Sequence, residues 1–253
     1  MKLAKLLSTA ALTATLSVGG AAQAGIIADV LWVIDTSGSM GDDIDQVRLR
    51  IQEFNSVMLS NTIDAQYGLV RFGGANTLIQ DITNFGNFDR VGGPFRLLAA
   101  NGGGTEDGSE AMRVGVTSAS WRNDAVRNII LVTDEDDDNT ANRGALQAAI
   151  DATAIRELIN IIGNPNDDFG SYYRTLAPAN GGMFFNILEF RTNPGPFFTS
   201  FVQTKVTEIV SDFCTRFPND PACRQTVPEP GVLALVGLGL LGIAASRRRR
   251  VVG

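Results

Sequence analysis

The 253-residue chain has room for one ordinary domain with appendages. Its 21 basic and 27 acidic residues leave a net charge of −6, a poor match for nucleic acid or an anionic membrane surface and a good one for divalent cations. Histidine is absent, which excludes a His-dependent catalytic triad and zinc–water chemistry of the usual kind.

Residues 1–24 read as a signal peptide rather than a first helix of the fold. A basic start, Met1-Lys2-Leu3-Ala4-Lys5, precedes an apolar stretch over 6–18, and Ala22-Gln23-Ala24 offers the small residues that a signal peptidase reads. Next comes Leu31-Trp32-Val33-Ile34, an apolar, β-favouring run that stops at Asp35-Thr36-Ser37-Gly38-Ser39-Met40. The run reads as a buried strand of a parallel sheet, and the polar stretch as the loop at its carboxyl end, where open α/β sheets bind ligands. A carboxylate and two hydroxyls at i, i+2 and i+4 on a tight loop suit a hard divalent cation such as Mg²⁺.

Asp42 and Asp43 then occupy the first turn of a predicted helix, whose apolar positions 44, 47, 51, 54, 57 and 58 carry it to about residue 60. Residues 65–72 read as a second strand, and 77–85 alternate as its antiparallel hairpin partner. A helix broken at Gly92-Gly93-Pro94 is expected over 87–100. In Asn101-Gly102-Gly103-Gly104-Thr105-Glu106-Asp107 the glycines permit close backbone approach, and Thr105 is expected to open a helix to about residue 119. These glycines do not form a phosphate cradle, because no lysine follows and Glu106 and Asp107 repel an anion.

Residues 126–133 form the clearest second core strand, ending at Asp134 and the acids Glu135-Asp136-Asp137-Asp138. A helix over 145–155, a strand over 158–162, a helix over 169–179 and a strand over 183–190 follow. Phe198, Phe201, Val202, Val206, Ile209, Val210 and Phe213 then mark a final amphipathic helix. The alternation predicts an α/β fold: a doubly wound, mostly parallel sheet with one antiparallel edge strand, flanked by helices, in one domain over 25–217. Residues 218–230 read as a Pro-rich linker. Cys214 and Cys223 are close in sequence and, in an oxidising compartment, are expected to form a disulfide; two unpaired thiols are the alternative.

In the tail, Val227-Pro228-Glu229-Pro230 precedes an uncharged run over 231–245 and then Arg247-Arg248-Arg249-Arg250. That run of 15 residues is short of the roughly 20 of a relaxed transmembrane helix. The order resembles the PEP-CTERM sorting signal of Gram-negative bacteria, with 231–250 as its apolar helix and basic cluster. The resemblance implies recognition by an exosortase-type membrane protease, an inner-membrane stage before processing, and a body held at the cell surface, in the matrix or anchored facing out. A plain C-terminal anchor also places the body outside. Gly237-Leu238-Gly239-Leu240-Leu241-Gly242 matches a dinucleotide fingerprint, but no second strand or later acid follows, so it reads as small residues of a membrane helix. Without 1–24 and 227–253 the chain keeps 15 basic and 26 acidic residues, a net of −11.

Three strand-to-loop junctions thus direct oxygens to one sheet edge: Asp35, Ser37 and Ser39; Thr105; and Asp134. This set, in this order, resembles the von Willebrand factor type A domain and its metal-ion-dependent adhesion site over roughly 25–215. The resemblance implies a Rossmann-like fold and a divalent cation, Mg²⁺ first with Mn²⁺ or Ca²⁺ as alternatives. It further implies serines bound directly to the ion, the threonine joining in the ligand-bound state, aspartates acting partly through water, and a partner protein's Asp or Glu completing the coordination. One departure is that Glu135 follows Asp134 where the family commonly has glycine. Asp42, Asp43, Glu106, Asp107, Glu135 and Asp136 form either a second cation site or a solvated acidic rim, with Asp45, Asp137 and Asp138 read as solvated surface.

The strand ending in Asp35 also resembles aspartate-nucleophile phosphatases of the haloacid dehalogenase type, but Ser37 stands where they need a second carboxylate. The expected role is therefore a non-catalytic adhesion or protein-binding module. The alternative is a structural surface protein whose metal only stabilises the fold.

Overall fold

The structure, a computed structural model, describes residues 25–166 and 171–223. The signal peptide and the sorting tail expected from the sequence lie outside these residues. Strand β1 (Ile26–Asp35) is apolar on both faces and lies at the middle of a six-stranded sheet. Helix α1 (Gly41–Ser60) leads to β2 (Ile63–Phe72), which pairs parallel with β1 and antiparallel with the edge strand β3 (Thr77–Thr83). After a one-turn helix α2 (Phe85–Phe88) and helix α3 (Gly108–Ser118), β4 (Val126–Val132) pairs with the other side of β1. Helix α4 (Asn142–Asp151), β5 (Glu157–Gly163), α5 (Ser171–Ala179) and β6 (Phe184–Asn186) complete the sheet in the order β3-β2-β1-β4-β5-β6. Helices α6 (Ile187–Thr192) and α7 (Pro194–Arg216) close the chain's described part.

The period-2 alternation of β1 divides the core. Val30, Trp32 and Ile34 face α1 and α7, where Trp32 meets Phe54 edge-on at 5.5 Å between ring centroids. Leu31 and Val33 face α3, α4 and α5. Burial on both faces is what the continuous apolar run requires. The chain leaves β1 towards β2 on one side and later returns to β4 on the other, so a crevice opens at the carboxyl ends of β1 and β4. Asp35 ends the first and Asp134 follows the second.

Several expected elements shift. Of the stretch 87–100, only residues 87 and 88 are helical, as the end of α2; the rest forms turns rather than a broken helix, because Gly92, Gly93 and Pro94 interrupt it. Helix α3 begins three residues beyond Thr105, where the Asp107 side chain accepts the Glu110 N–H at 2.9 Å. Helix α4 starts at Asn142 and ends at Asp151, earlier at both ends than the apolar spacing indicated. The strand expected over 183–190 is only three residues long, since the Asn186 side chain accepts the Leu188 N–H at 2.9 Å and turns the rest into α6. The described part of the expected linker folds back on α7: Pro221–Cys223 form a 3₁₀ turn, and a disulfide joins Cys223 to Cys214.

Lys205 on α7 is fully buried. Its ammonium donates to Asn160 and to Glu208, the latter at 2.7 Å, and lies 4.7 Å from the centre of the Phe185 ring. Burial depresses its pKa from 10.5 to about 8, opposed by the Glu208 charge. The unfolded chain therefore binds this proton more tightly, and stability rises with pH between about 8 and 10.5. Urea midpoints are expected to climb across that window in the wild-type chain and to climb less in Lys205→Met. Reduction of Cys214–Cys223 frees a short loop, and chemical denaturation with reductant is expected to show a loss of about 2–3 kcal/mol.

Candidate metal centre

The β1 loop, the β2 loop and the Gly-rich loop before α3 lie against one another through their backbones. Thr36 N–H donates to Phe72 O at 2.8 Å and Gly102 N–H to Thr36 O at 2.8 Å. Gly103 N–H donates to Gly73 O and Gly74 N–H to Thr105 O, both at 3.0 Å. At two positions such contact leaves no room for a side chain. A Cβ on Gly73, whose φ is +91°, would stand 2.8 Å from Ser37 N and 3.0 Å from the Asp35 carboxylate. One on Gly102 would stand 2.2 Å from Gly73 O. Of the glycines expected to permit close approach, Gly102 is the one whose missing side chain lets the loops meet, whereas Gly103 and Gly104 face open space.

Asp35 is buried behind this contact. Its carboxylate accepts the Ser37 N–H at 2.8 Å and the Thr133 hydroxyl at 2.9 Å. Burial raises its pKa, partly offset by these donors, and the Asp134 charge adds to the rise. In front of it, the Ser37 and Ser39 hydroxyl oxygens lie 3.2 Å apart, and Ser39 donates to Asp134 Oδ1 at 2.9 Å. Asp35, Ser37, Ser39 and Asp134 therefore meet at one sheet edge. Thr105, the fifth expected ligand, is exposed, and its carbonyl accepts the Gly74 N–H of the neighbouring β2 loop rather than meeting any of these four.

The acids expected to form a second site or a rim divide into separate roles. Asp42 and Glu135 are exposed, and Asp136 is half-buried. Asp43 is instead 2% exposed and gripped by the Arg191 guanidinium, with a closest contact of 2.6 Å. Asp107 is a buried helix cap that also accepts the Asn142 amide. Asp137, expected at the surface, is buried and accepts Ser109 N–H and Arg143 Nε, each at 3.0 Å. The Asp138 side chain accepts Glu106 N–H at 2.7 Å, tying the Asp134 loop to the Gly-rich loop. Glu106 turns towards the centre: desolvation, then the charges of Asp35, Glu135 and Asp138, push its pKa up to about 7, and the Ser37 hydroxyl opposes this.

Thr133 and Arg191 have site roles that the sequence did not reveal. Thr133 adjoins Asp134, and a hydroxyl at the end of an apolar strand was the available signal. Arg191 is 57 positions from Asp134, yet its Nη2 donates to Asp134 Oδ2 at 2.7 Å. Nothing in its sequence surroundings marks it.

Among the described residues no group of three or more His, Cys, Asp or Glu side chains is placed to hold a metal. The donors fit a hard divalent cation in another way: paired hydroxyls are supplemented by carboxylates, Asp35 and Glu106, whose charged forms burial disfavours first and neighbouring carboxylates second, and which a cation would stabilise.

The von Willebrand factor type A domain model matches residues 29–197, two thirds of the chain. The chain belongs to this family. The PEP-CTERM protein-sorting motif matches residues 226–250, which implies recognition by an exosortase and export through a Gram-negative envelope to the cell surface. Among the described residues no helix is long and apolar enough to cross a membrane. A von Willebrand factor type A protein from Catenulispora acidiphila superposes with a TM-score of 0.54 at 17% identity over 73% of this chain. This chain spans 43% of that protein's length, so the likeness concerns the fold. An aerotolerance-related membrane protein from Bacteroides fragilis gives a TM-score of 0.44 at 13% identity, covering 63% of this chain and 90% of its own. No curated protein matches.

In this type A domain, Gly102→Ala places a methyl group against Gly73 O and must separate the loops. Urea unfolding is expected to show a loss of about 1–3 kcal/mol. An unchanged midpoint would mean that the loops part without cost.

Proposed function

We propose that this type A domain is a binding module at the cell surface or in the extracellular matrix that uses a divalent cation to engage a carboxylate of a partner protein. Asp35, Ser37, Ser39, Thr105 and Asp134 would hold the ion, with Mg²⁺ as the first candidate and Mn²⁺ or Ca²⁺ as alternatives. When bound, the ion supplies an exchangeable coordination position that an Asp or Glu side chain can enter. The observation that carries this reading is the Ser37–Ser39–Asp134 chain of hydroxyl and carboxylate oxygens at the strand switch point.

The protein's own residues prepare that surface. Thr133 and the Ser37 N–H fix both oxygens of Asp35. The Asp138–Glu106 hydrogen bond keeps the Thr105 loop beside the Asp134 loop. Beside Ser39 a cleft of about 510 Å³, lined also by Asp42, Asp45 and Arg191, leaves the centre open to a protruding loop of a partner. The proposed role is binding without turnover: Ser37 stands where an aspartate-nucleophile phosphatase needs its second carboxylate.

In full-length protein stripped with EDTA, millimolar Mg²⁺ is expected to raise the melting temperature, and Asp35→Asn with Ser37→Ala to abolish the rise. In pull-downs from the producing organism's extracellular matrix, a partner is expected to be retained in Mg²⁺ and released by EDTA. Retention that persists undiminished in EDTA would overturn the proposal. A melting shift without any metal-dependent partner would favour a purely structural ion.

A further inference from the structure

We propose that Arg191 is the internal counter-cation of the metal centre, holding its carboxylates in place when no ion is bound and opposing the ion when it enters. This rests on the metal-binding reading above. Arg191 reaches from α6 to two separate segments at once. Its Nη2 donates to Asp134 Oδ2 at 2.7 Å and to Asp43 Oδ2 at 2.6 Å, and its Nε lies 3.0 Å from the same Asp43 oxygen. The other Asp134 oxygen accepts the Ser39 hydroxyl at 2.9 Å. Both oxygens of the candidate ligand are therefore engaged, one by the serine pair and one by a fixed positive charge.

That arrangement has two consequences. A cation bound directly by Asp134 must share or displace the Ser39 or Arg191 contact. A cation bound through water leaves both contacts intact and faces a guanidinium one carboxylate away. In either geometry Arg191 lowers cation affinity, because two like charges held within one carboxylate of each other repel. Meanwhile it prevents collapse of the empty centre. Asp43 is almost wholly buried, and its carboxylate meets that of Asp134 on the one guanidinium, so without Arg191 the two carboxylates would face each other with no cation between them. Arg191 itself is about one third exposed and lines the cleft beside Ser39, so it remains within reach of an ion entering from solvent.

The test is calorimetric titration of Mg²⁺ into EDTA-stripped full-length protein, comparing wild type with Arg191→Gln and Arg191→Lys, alongside melting curves with and without metal. Arg191→Gln is expected to bind Mg²⁺ roughly tenfold tighter, to melt lower when metal-free, and to show a larger metal-induced rise in melting temperature. Arg191→Lys, which keeps the charge, is expected to stay near wild-type affinity. If Arg191→Gln fails to fold, Asp43→Asn provides the second measurement: it leaves the guanidinium wholly to Asp134 and is expected to weaken Mg²⁺ binding. Wild-type binding with equal or weaker binding in Arg191→Gln would overturn the counter-cation role while leaving the metal reading intact. Equal or tighter binding in Asp43→Asn would also overturn that role. No Mg²⁺ binding in any form, at concentrations up to tens of millimolar, would overturn both.

Discussion

The placement of Asp35 and its two serines depends on the backbone contact among the loops that follow β1 and β2 and the Gly-rich loop that precedes α3. Thr36, Gly73, Gly102 and Gly103 exchange main-chain hydrogen bonds at 2.8–3.0 Å, an approach that a single methyl group would prevent. Because that contact lies behind Asp35, it buries the carboxylate and fixes the direction in which Ser37 and Ser39 present their hydroxyls. A loop cluster joined through side chains would leave these oxygens free to rotate. Joined through backbone, their positions are as rigid as the strands that deliver them.

Electrostatics follows from this placement. Carboxylates brought to one edge of an acidic domain repel one another, and the structure disperses that cost by assigning them different partners. Asp43 and Asp134 share Arg191, Asp137 takes Ser109 and Arg143, Asp107 caps a helix, and Asp138 holds the Glu106 backbone. Asp35 and Glu106 are both pushed towards the protonated form, chiefly by burial and then by neighbouring carboxylates. The acidic stretch after β4 therefore acts as a fastening between loops as much as a source of negative potential.

The fold was legible because its main constraint is periodic. A strand buried on both faces, such as β1 or β4, carries an unbroken apolar run through its middle, residues 30–34 and 129–132, and a helix such as α7 has to carry its phenylalanines on one stripe. Where local hydrogen bonds compete with periodicity, the sequence misled. Asn186 caps a helix where the apolar run reads as a longer strand, and Asp107, not Thr105, caps α3. The run of acids was misread for a related reason: burial of Asp137 and Asp43 depends on arginines 6 and 148 positions away.

Thus the order of strands and helices, the Asp-x-Ser-x-Ser loop, the threonine of the Gly-rich loop and the sorting tail were written in the sequence, because each is a local pattern of side-chain chemistry. The tertiary structure alone decided which carboxylates stand at the centre, which are caps or ion pairs, and that a guanidinium from α6 bonds Asp134. Those outcomes depend on distances between segments far apart in the chain, and only the packing of the sheet and its loops sets those distances.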